Sequence, residues 1–399
     1  MAGYDVSTPA AEVCKRIEKF QTVLRDQEID AGLVVQKTDL FYFSGTSQQG
    51  WLYIPAEGKP LLMIFKEFSR ARAESPLEEI CSLASAKKIP EVLAQRGYGV
   101  PKHLGMELDV LPVNLYFQYQ KIFPGARITD VSIDIRLIRA VKSAYELEII
   151  KQAAVYSDMV AAKVVDFLEV GKSEVALAGE LEGYARSLGH QGIVRMRMWG
   201  SELFYGHLLS GPAAAVPSYL ASPTGGTGVS PLISQGAGFK TIERNETILF
   251  DYVFAWHGYI SDHTRIFCIG RLPDELLRAH DVMLDIQERT KSLAVPGAVS
   301  GEIYEQMLCW ARERGLAESF MGAGERKVRF TGHGVGLELD EFPFLAKGQK
   351  MVLENGMVIA LEPKAILPGV GVVGIENTHV VTGQGLETLA KMPDAISFV

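Results

Sequence analysis

The sequence has little cysteine and no long apolar run. Its 399 residues include four cysteines, which are widely spaced and form no Cys-x-x-Cys pair. This usage is typical of unpaired thiols in a reducing compartment, so we expect a cytoplasmic protein. No stretch of about 18 apolar residues occurs, and no basic segment followed by an apolar run opens the chain. We therefore expect neither a membrane span nor a signal peptide.

Basic residues are fewer than acidic ones. The chain has 40 Lys and Arg against 48 Asp and Glu, a formal net charge of −8 at pH 7. This balance argues against nucleic acid or an anionic membrane as the main partner. Hydrophobic residues make up 47% of the chain and charged residues 22%, which is ordinary for a globular protein with a large core. The length allows two to three domains.

Residues 1–140 alternate between helix and strand patterns. Ala10 to Gln27 has the apolar period of an amphipathic helix, and Ala31 to Val35 reads as a buried strand. We expect an α/β domain here, without chemistry of its own. A second domain, residues 141–399, begins where Ser143 and Glu146 have the spacing of a capping box that opens a long helix.

The second domain contains an internal repeat. Gly171 and Gly297 are separated by 126 residues, and so are Gly189 and Gly315. The same offset relates Tyr-Ala-Arg before Gly189 to Trp-Ala-Arg before Gly315. We expect two copies of a unit made of two helices and a hairpin, with Ser173 capping a helix in the first copy and Ser300 in the second. The helices precede the hairpin in each copy.

The first hairpin lies within the segment ETILFDYVFAWHGYISDHTRIFC. Ile248 to Phe254 and Tyr259 to Ile269 are rich in β-branched and aromatic residues, which favour strands. A turn centred on Trp256 and His257 would join them.

That turn places Asp251 directly opposite Asp262, on one face of the hairpin. Two carboxylates in an apolar setting lose hydration and repel each other. Either one of them is protonated or paired with Arg265, or the pair holds cations. Two-metal hydrolases place their ions about 3.5–4 Å apart, a spacing that opposed carboxylates suit.

The second hairpin carries another acidic pair. Met357 to Ile366 and Val372 to Val381 predict its strands, and a turn centred on Gly369 sets Glu362 opposite Glu376. Buried acids are rarely left unpaired.

Between the hairpins, His333 is flanked by glycines that allow close approach of backbone or substrate. Four carboxylates and one imidazole form a hard ligand set, suited to Mn, Co, Fe or Zn.

These residues, in this order and with their flanking sequences, resemble the pita-bread metallopeptidase family. That family includes Xaa-Pro aminopeptidases, prolidases, methionine aminopeptidases and creatinase, which keeps the fold without metal. The resemblance covers the whole chain. The matching segments are Asp251, SDHTR around Asp262, GHGVGLELDE around His333, LEP at Glu362 and GIEN at Glu376.

The resemblance implies a creatinase-like α/β N-terminal domain and an α+β pita-bread C-terminal domain with an internal pseudo-twofold repeat. The N-terminal domain would help to shape substrate access and a homodimer. Asp251 and Asp262 would bind metal, with Asp262 bridging two ions. His333 and Glu362 would complete the shell of one ion, and Glu376 would bridge both.

Some positions depart from the pattern of the peptide-cleaving members. Seven residues after the ligand histidine they have another histidine, where this chain has Asp340. Arg329 and Gly374 stand where proline-specific members often have His and Arg. Loss of donors to a developing oxyanion typically lowers the rate about 10²–10³-fold each. His207, just before a Gly- and Pro-rich segment expected to form a flexible loop, is the candidate replacement.

We therefore expect a metallohydrolase with two divalent metal ions that removes the N-terminal residue from small peptides with proline in second position. Glu362 would act as ligand and general base, and His207 and Asp340 would be further catalytic residues. One alternative is an enzyme of this fold acting on a non-peptide small molecule, as do ectoine hydrolase and dimethylsulfoniopropionate lyase, which resemble the family. Another is a pseudo-peptidase that only binds, although such a protein has no need of five intact ligands.

Overall fold

The chain divides between Arg139 and Ala140 into two units. The computed structural model describes residues 7–203, 205–219 and 222–399. No helix within these described ranges is long and apolar enough to cross a bilayer.

The N-terminal unit has a six-stranded mixed sheet with strand order β4-β3-β2-β1-β5-β6. Apolar residues of α1 recur at helical spacing and are buried. Gly32 in β1 permits close approach of this helix, because a Cβ atom there would lie 2.5 Å from Cε1 of Phe20. The elements are α1 (Ala10–Asp26), β1 (Ala31–Val34), α2 (Lys37–Ser44), β2 (Gly50–Pro55), β3 (Leu61–Ile64), α3 (Phe68–Glu74), β4 (Ile80–Ser82), α4 (Ile89–Gln95), β5 (His103–Met106), α5 (Val113–Ile122), β6 (Arg127–Asp130) and α6 (Ser132–Ala140).

In its described residues, the C-terminal unit combines four long helices with three sheets, ordered β11-β10-β12-β15-β16, β13-β14 and β17-β9-β8-β7. Its helices are α7 (Ala144–Phe167), α8 (Glu174–Ser187), α9 (Asp274–Leu293) and α10 (Ser300–Glu313). Its strands are β7 (Gly206–Ser210), β8 (Ile248–Trp256), β9 (Tyr259–Cys268), β10 (Phe330–Gly334), β11 (Glu341–Ala346), β12 (Val358–Leu361), β13 (Lys364–Leu367), β14 (Gly371–Gly374), β15 (Asn377–Thr382), β16 (Gly385–Thr388) and β17 (Ser397–Phe398).

The two helix pairs have equivalent starts. The predicted capping box opens α7, because the Ser143 side chain accepts from the Glu146 N–H and the Glu146 side chain accepts in return. Ser173 caps α8, as predicted. The prediction that Ser300 caps α10 is wrong, because the N-cap is Val299, which lies 126 residues after Ser173. Ser300 is the first helical residue instead.

Each helix pair packs on its own hairpin. Apolar residues of α7 and α8 form one buried cluster with β8, and apolar residues of α9 and α10 form another with β12 to β14. The segment that follows β7 has little regular structure up to β8, apart from a short 3₁₀ helix at Gly211–Ala215. Leu220 and Ala221 of the predicted loop lie outside the described residues.

The first hairpin has a different register from the predicted one. His257 and Gly258 form its turn, with φ angles of 48° and 90°. Left-handed backbone at both positions is typical of a type I′ turn, and Gly258 adopts it at little cost. Asp251 therefore lies opposite Thr264, and the expected pairing of Asp251 with Asp262 is wrong by two residues. A two-residue shift keeps every side chain on its predicted face, so the two acids still share one face.

The second hairpin has the predicted register but not the predicted strands. Leu361 pairs with Asn377 and Lys364 with Gly374, which sets Glu362 opposite Glu376. Each expected long strand is instead two short strands, because the ladder breaks at Pro363, which has no N–H to donate. Both acids lie in this interruption.

Candidate metal centre

The two hairpins meet at their acidic residues. The Thr264 N–H donates to the carbonyl of Glu376, and the Thr378 hydroxyl contacts both the N–H and the carbonyl of Asp262. The central strand β10 adds His333. One cavity is consequently lined by all seven residues that the sequence analysis singled out, namely Asp251, Asp262, His333, Glu362, Glu376, His207 and Asp340.

The His333 side of the cluster has room for a cation. Nε2 of His333 lies 3.7 Å from Oδ2 of Asp262, 3.8 Å from Oε1 of Glu376 and 3.9 Å from Oε1 of Glu362. These distances are too long for hydrogen bonds. Ligand atoms about 2.0–2.1 Å from a tetrahedral ion lie about 3.4 Å apart, which is close to the spacing here.

Three further features favour an ion at this point. Nδ1 of His333 lies 3.2 Å from the carbonyl oxygen of Gly334, which can only accept, so Nε2 is left to face the carboxylates. Oδ1 of Asp262 is buried and has no hydrogen-bond partner among the described residues. Ligand atoms of Asp262, His333 and Glu376 all lie within 4.8 Å of one another. The donor set on this side fits one divalent ion.

The opposite side of the cluster is filled by Lys364, which the sequence analysis missed. Its Nζ atom lies 2.9 Å from Oδ2 of Asp251, 2.9 Å from Oε2 of Glu362 and 2.7 Å from Oε2 of Glu376. The Lys364 side chain is only 1% exposed. The signal was present in the sequence, because a residue two positions after Glu362 in an extended segment points to the same face.

Burial and neighbouring charges both shift the pKa values of the cluster. Burial raises the pKa of Asp262 well above its usual value, and neighbouring Glu376 and Asp251 raise it further. Burial likewise raises the pKa of Glu376, to about 7, although the Lys364 ammonium opposes this shift. For Lys364 itself, burial lowers the pKa, but the surrounding carboxylates outweigh burial and raise it well above its usual value. Lys364 is therefore an ammonium at neutral pH.

The pKa of His333 depends on the same carboxylates. Burial lowers it, but Asp340, Glu362 and Glu376 outweigh burial and raise it. A metal ion held by Nε2 of His333 would compete with a proton for that nitrogen.

Arg265, the alternative partner of the Asp pair, lies elsewhere. Its guanidinium donates to the carbonyls of Thr264 and Glu376 and to the side-chain oxygen of Asn377. It approaches Asp394, at 3.4 Å, and neither Asp251 nor Asp262. The cation that balances the charge of Asp251 is Lys364.

His207 and Asp340 lie at the edge of the cluster. His207 is directly opposite Asp251 in the β7–β8 ladder, and its buried Nε2 has no partner among the described residues. Burial lowers the pKa of His207, although Asp251 opposes this shift, so the ring is neutral at pH 7. Oδ1 of Asp340 lies 3.6 Å from Nδ1 of His333, and the Asp340 side chain is 25% exposed.

Known proteins match the chain along nearly its whole length. Residues 148–383 match the model of metallopeptidase family M24, and residues 16–141 match the creatinase/prolidase N-terminal domain. An Xaa-Pro dipeptidase from Pyrococcus furiosus is 28% identical over 386 residues, which cover 94% of this chain and 98% of that protein.

Solved structures give the same result. The Xaa-Pro dipeptidase from Bacillus anthracis superposes with a TM-score of 0.82 at 25% identity, covering 97% of this chain and 100% of that chain. The prolidase from Pyrococcus horikoshii OT3 has a TM-score of 0.80 at 25% identity, covering 95% of this chain and 99% of that chain.

These matches confirm the predicted resemblance and the predicted fold class, a creatinase-like N-terminal domain followed by a pita-bread domain. They confirm the expectation of an enzyme of the metallopeptidase type, and the family implies divalent metal ions. The chain belongs to metallopeptidase family M24.

Proposed function

We propose that the chain is a metal-dependent peptidase that removes the first residue from small peptides with proline in second position. The observation that carries the proposal is the buried cluster of Asp262, His333, Glu362 and Glu376 at a cavity, with the spacing of ligands around an ion. The names of the relatives, Xaa-Pro dipeptidase and prolidase, support this substrate class.

Glu362 has the position of a general base. A divalent ion beside it would supply Lewis-acid polarisation of the scissile carbonyl. Oε1 of Glu362 lies toward His333, while Oε2 accepts from Lys364. The contact with Lys364 fixes the carboxylate, and Glu362 then takes the proton of the attacking water.

His207 and Asp340 would hold the substrate. Nε2 of His207 has no partner among the described residues, and in the neutral tautomer that carries its proton there it can donate to the carbonyl oxygen as negative charge develops. Asp340 is an acceptor and favours a donor or cationic group, such as a peptide amino terminus.

The second candidate function is hydrolysis or lysis of a non-peptide small molecule. It is favoured by Asp340, which places an acceptor in the cavity where a peptide carbonyl oxygen would be repelled. A substrate with a cationic group near its scissile bond would suit this cavity equally well.

The metal, the oligomer and the compartment are part of the proposal. The sequence predicts two divalent ions of Mn, Co, Zn or Fe. The donors around His333 support one ion, and a second ion would need the position that the Lys364 ammonium occupies. We also propose a homodimer in the cytoplasm. The four free thiols, Cys14, Cys81, Cys268 and Cys309, suit a reducing compartment. Light scattering would measure the mass of the oligomer.

The test is a substrate series on metal-loaded protein. We expect kcat/KM to be higher for Xaa-Pro dipeptides than for matched Xaa-Ala dipeptides, and Xaa-Pro tripeptides distinguish a dipeptidase from an aminopeptidase. Glu362→Gln should lower kcat by at least about 10²-fold if Glu362 is the general base. Protein that binds metal but cleaves no Xaa-Pro peptide with any of the four metals would contradict the proposal and favour the second candidate.

A further inference from the structure

We propose that the centre binds one divalent ion, between Asp262, His333 and Glu376, and that the ammonium of Lys364 takes the position that a second ion would need. The inference rests on the proposed metal dependence and specifies the composition of the same site. It differs from the pair of ions that the sequence analysis predicted.

The two halves of the cluster differ in the distances from their nitrogen atom, Nζ of Lys364 or Nε2 of His333, to the carboxylate oxygens. Around Lys364, Nζ is 2.7–2.9 Å from three carboxylate oxygens, one each from Asp251, Glu362 and Glu376. An ammonium has three N–H donors, so each donor is matched by one carboxylate. These are normal distances for charge-assisted hydrogen bonds, which leave no space for another cation. Around His333 the distances to oxygen are 3.7–3.9 Å, which leaves the centre of that half open.

The backbone holds Lys364 in this position. Lys364 is the first residue of β13 and pairs with Gly374 of β14, and its carbonyl accepts from the N–H of Met321. Gly374 provides the space for the lysine stem, because a Cβ atom there would lie 3.0 Å from Cγ of Lys364 and 2.5 Å from the carbonyl oxygen of Pro363. The departure at Gly374 from the family pattern therefore has a physical role here.

The positive charge of Lys364 opposes a second ion. Asp251, Asp262, Glu362 and Glu376 supply four negative charges when ionised. Lys364 and one divalent ion supply three positive charges, and His333 remains a neutral ligand. A second divalent ion would change the sum from −1 to +1, so the total does not favour it, and it would have to share the carboxylates of Asp251, Glu362 and Glu376 with an ammonium that already lies 2.7–2.9 Å from them. Two like charges that close together in a buried site repel each other strongly. The ammonium and a second ion therefore exclude each other.

The experiment is a count of bound ions. Protein stripped with a chelator is reloaded with Mn²⁺, Zn²⁺ or Co²⁺, desalted and measured by elemental analysis. We expect about one ion per wild-type chain and about two in Lys364→Gly, which removes the ammonium and its stem. About two ions in the wild type, or about none, would overturn the proposal.

Asp251→Asn is the matched control. If Asp251 faces the ammonium, this variant keeps about one ion in the wild-type background but lowers the count from about two to about one in the Lys364→Gly background. In a dinuclear centre, Asp251→Asn would already lower the wild-type count, and that result would refute the proposal even if Lys364→Gly fails to fold.

The count is independent of turnover. One bound ion without cleavage of Xaa-Pro peptides would contradict the proposed function and leave this inference standing. Cleavage of Xaa-Pro peptides by protein that holds two ions would support the proposed function and contradict this inference. The two proposals can therefore fail separately.

Discussion

Oε2 of Glu376 accepts a hydrogen bond from Nζ of Lys364 at 2.7 Å, while Oε1 of the same carboxylate lies 3.8 Å from Nε2 of His333. One carboxylate thus serves both halves of the cluster, the half occupied by an ammonium and the half open to an ion. The stability of the site should consequently respond to the loss of either cation, and the two responses can be measured separately.

The first prediction concerns the response to metal. Removing an ion from between Asp262, His333 and Glu376 leaves negative charge uncompensated, so adding Mn²⁺ or Zn²⁺ to stripped protein should raise Tm. A ligand at 100 times its Kd stabilises the native state by about 2.7 kcal/mol. The Asp262→Asn variant should show a much smaller rise in Tm on addition of metal. Scanning calorimetry over a metal titration measures it, and an unchanged Tm with all four candidate metals would indicate a metal-free centre.

The second prediction concerns the other cation. Lys364→Met keeps most of the stem volume but removes the charge that balances Asp251, Glu362 and Glu376. Breaking a buried ion pair from one side typically costs about 3–5 kcal/mol, so metal-free Lys364→Met should unfold at much lower denaturant than metal-free wild type. Lys59→Met is the control, because Lys59 forms an exposed pair with Glu78 and its loss should hardly change stability. Equal stability of wild type and Lys364→Met would show that the ammonium is not needed there.

The acidic residues could be predicted from the sequence because strand period survives errors of register. The turn of the first hairpin was placed one position too early, since the sequence does not reveal that His257 adopts a left-handed backbone. Asp251 and Asp262 nevertheless reached one face, because the resulting shift was of two residues. The 126-residue repeat predicted two copies of a unit of two helices and a hairpin, and the order of the acids and His333 pointed to the family, whose resemblance implied the fold class.

Lys364 was missed for a different reason. The sequence pattern predicts acids and histidines as ligands and does not reveal which cation already lies among them. A lysine two residues after Glu362, in an otherwise apolar strand, must be buried on the acidic face once the strand is buried. Its three partners come from β8 and from both sides of the broken second hairpin, and only tertiary structure brings those together.

The third prediction is a pH dependence of stability. His190 is buried; its Nε2–H donates to the Val253 carbonyl and its Nδ1 accepts from the Gly192 N–H, so the neutral ring is required. Burial lowers its pKa to about 4, below the usual value of about 6.5. Between these values the unfolded chain binds a proton that the folded chain does not, so stability falls as pH drops.

His190→Gln should make this fall shallower. The pKa difference corresponds to about 2 kcal/mol at pH 5 and to nothing above about pH 7.5, where neither state is protonated. The free energy of unfolding at pH 8 isolates the packing cost of the substitution. The change in the free energy of unfolding between pH 8 and pH 5 then reports the titration of His190. An identical change in wild type and His190→Gln would refute the prediction.

The fourth prediction tests His207 as a donor to the substrate. His207→Ala should lower kcat/KM by about 10²–10³-fold if its Nε2–H stabilises the developing oxyanion. His207 is not among the side chains next to the ion, so the count of bound ions should stay the same. Full activity in His207→Ala, with unchanged metal content, would remove His207 from the reaction.

The fifth prediction concerns Asp340, which lines the cavity beside His333 and has left-handed backbone with φ of 61°. An aspartate accepts hydrogen bonds and repels a carbonyl oxygen, whereas a histidine, which the family resemblance implies at this position, can donate. We therefore expect slow cleavage of ordinary Xaa-Pro peptides by the wild type and faster cleavage by Asp340→His. The gain should be modest, because Arg329 and Gly374 also depart from the family pattern. The measurement is kcat/KM for a series of Xaa-Pro dipeptides and tripeptides.

Asp340→Asn is the control for charge alone, because the amide has nearly the same shape and can donate. If repulsion of the carbonyl limits the wild type, Asp340→Asn should also gain activity on Xaa-Pro peptides, and it should lose affinity for ligands that carry a cationic group near the scissile bond. Asparagine is tolerated at a left-handed backbone position, so this comparison is free of the strain that histidine adds there. Fast turnover by the wild type that collapses in both variants would instead make Asp340 part of a working peptidase site, with its carboxylate holding the amino terminus of the peptide.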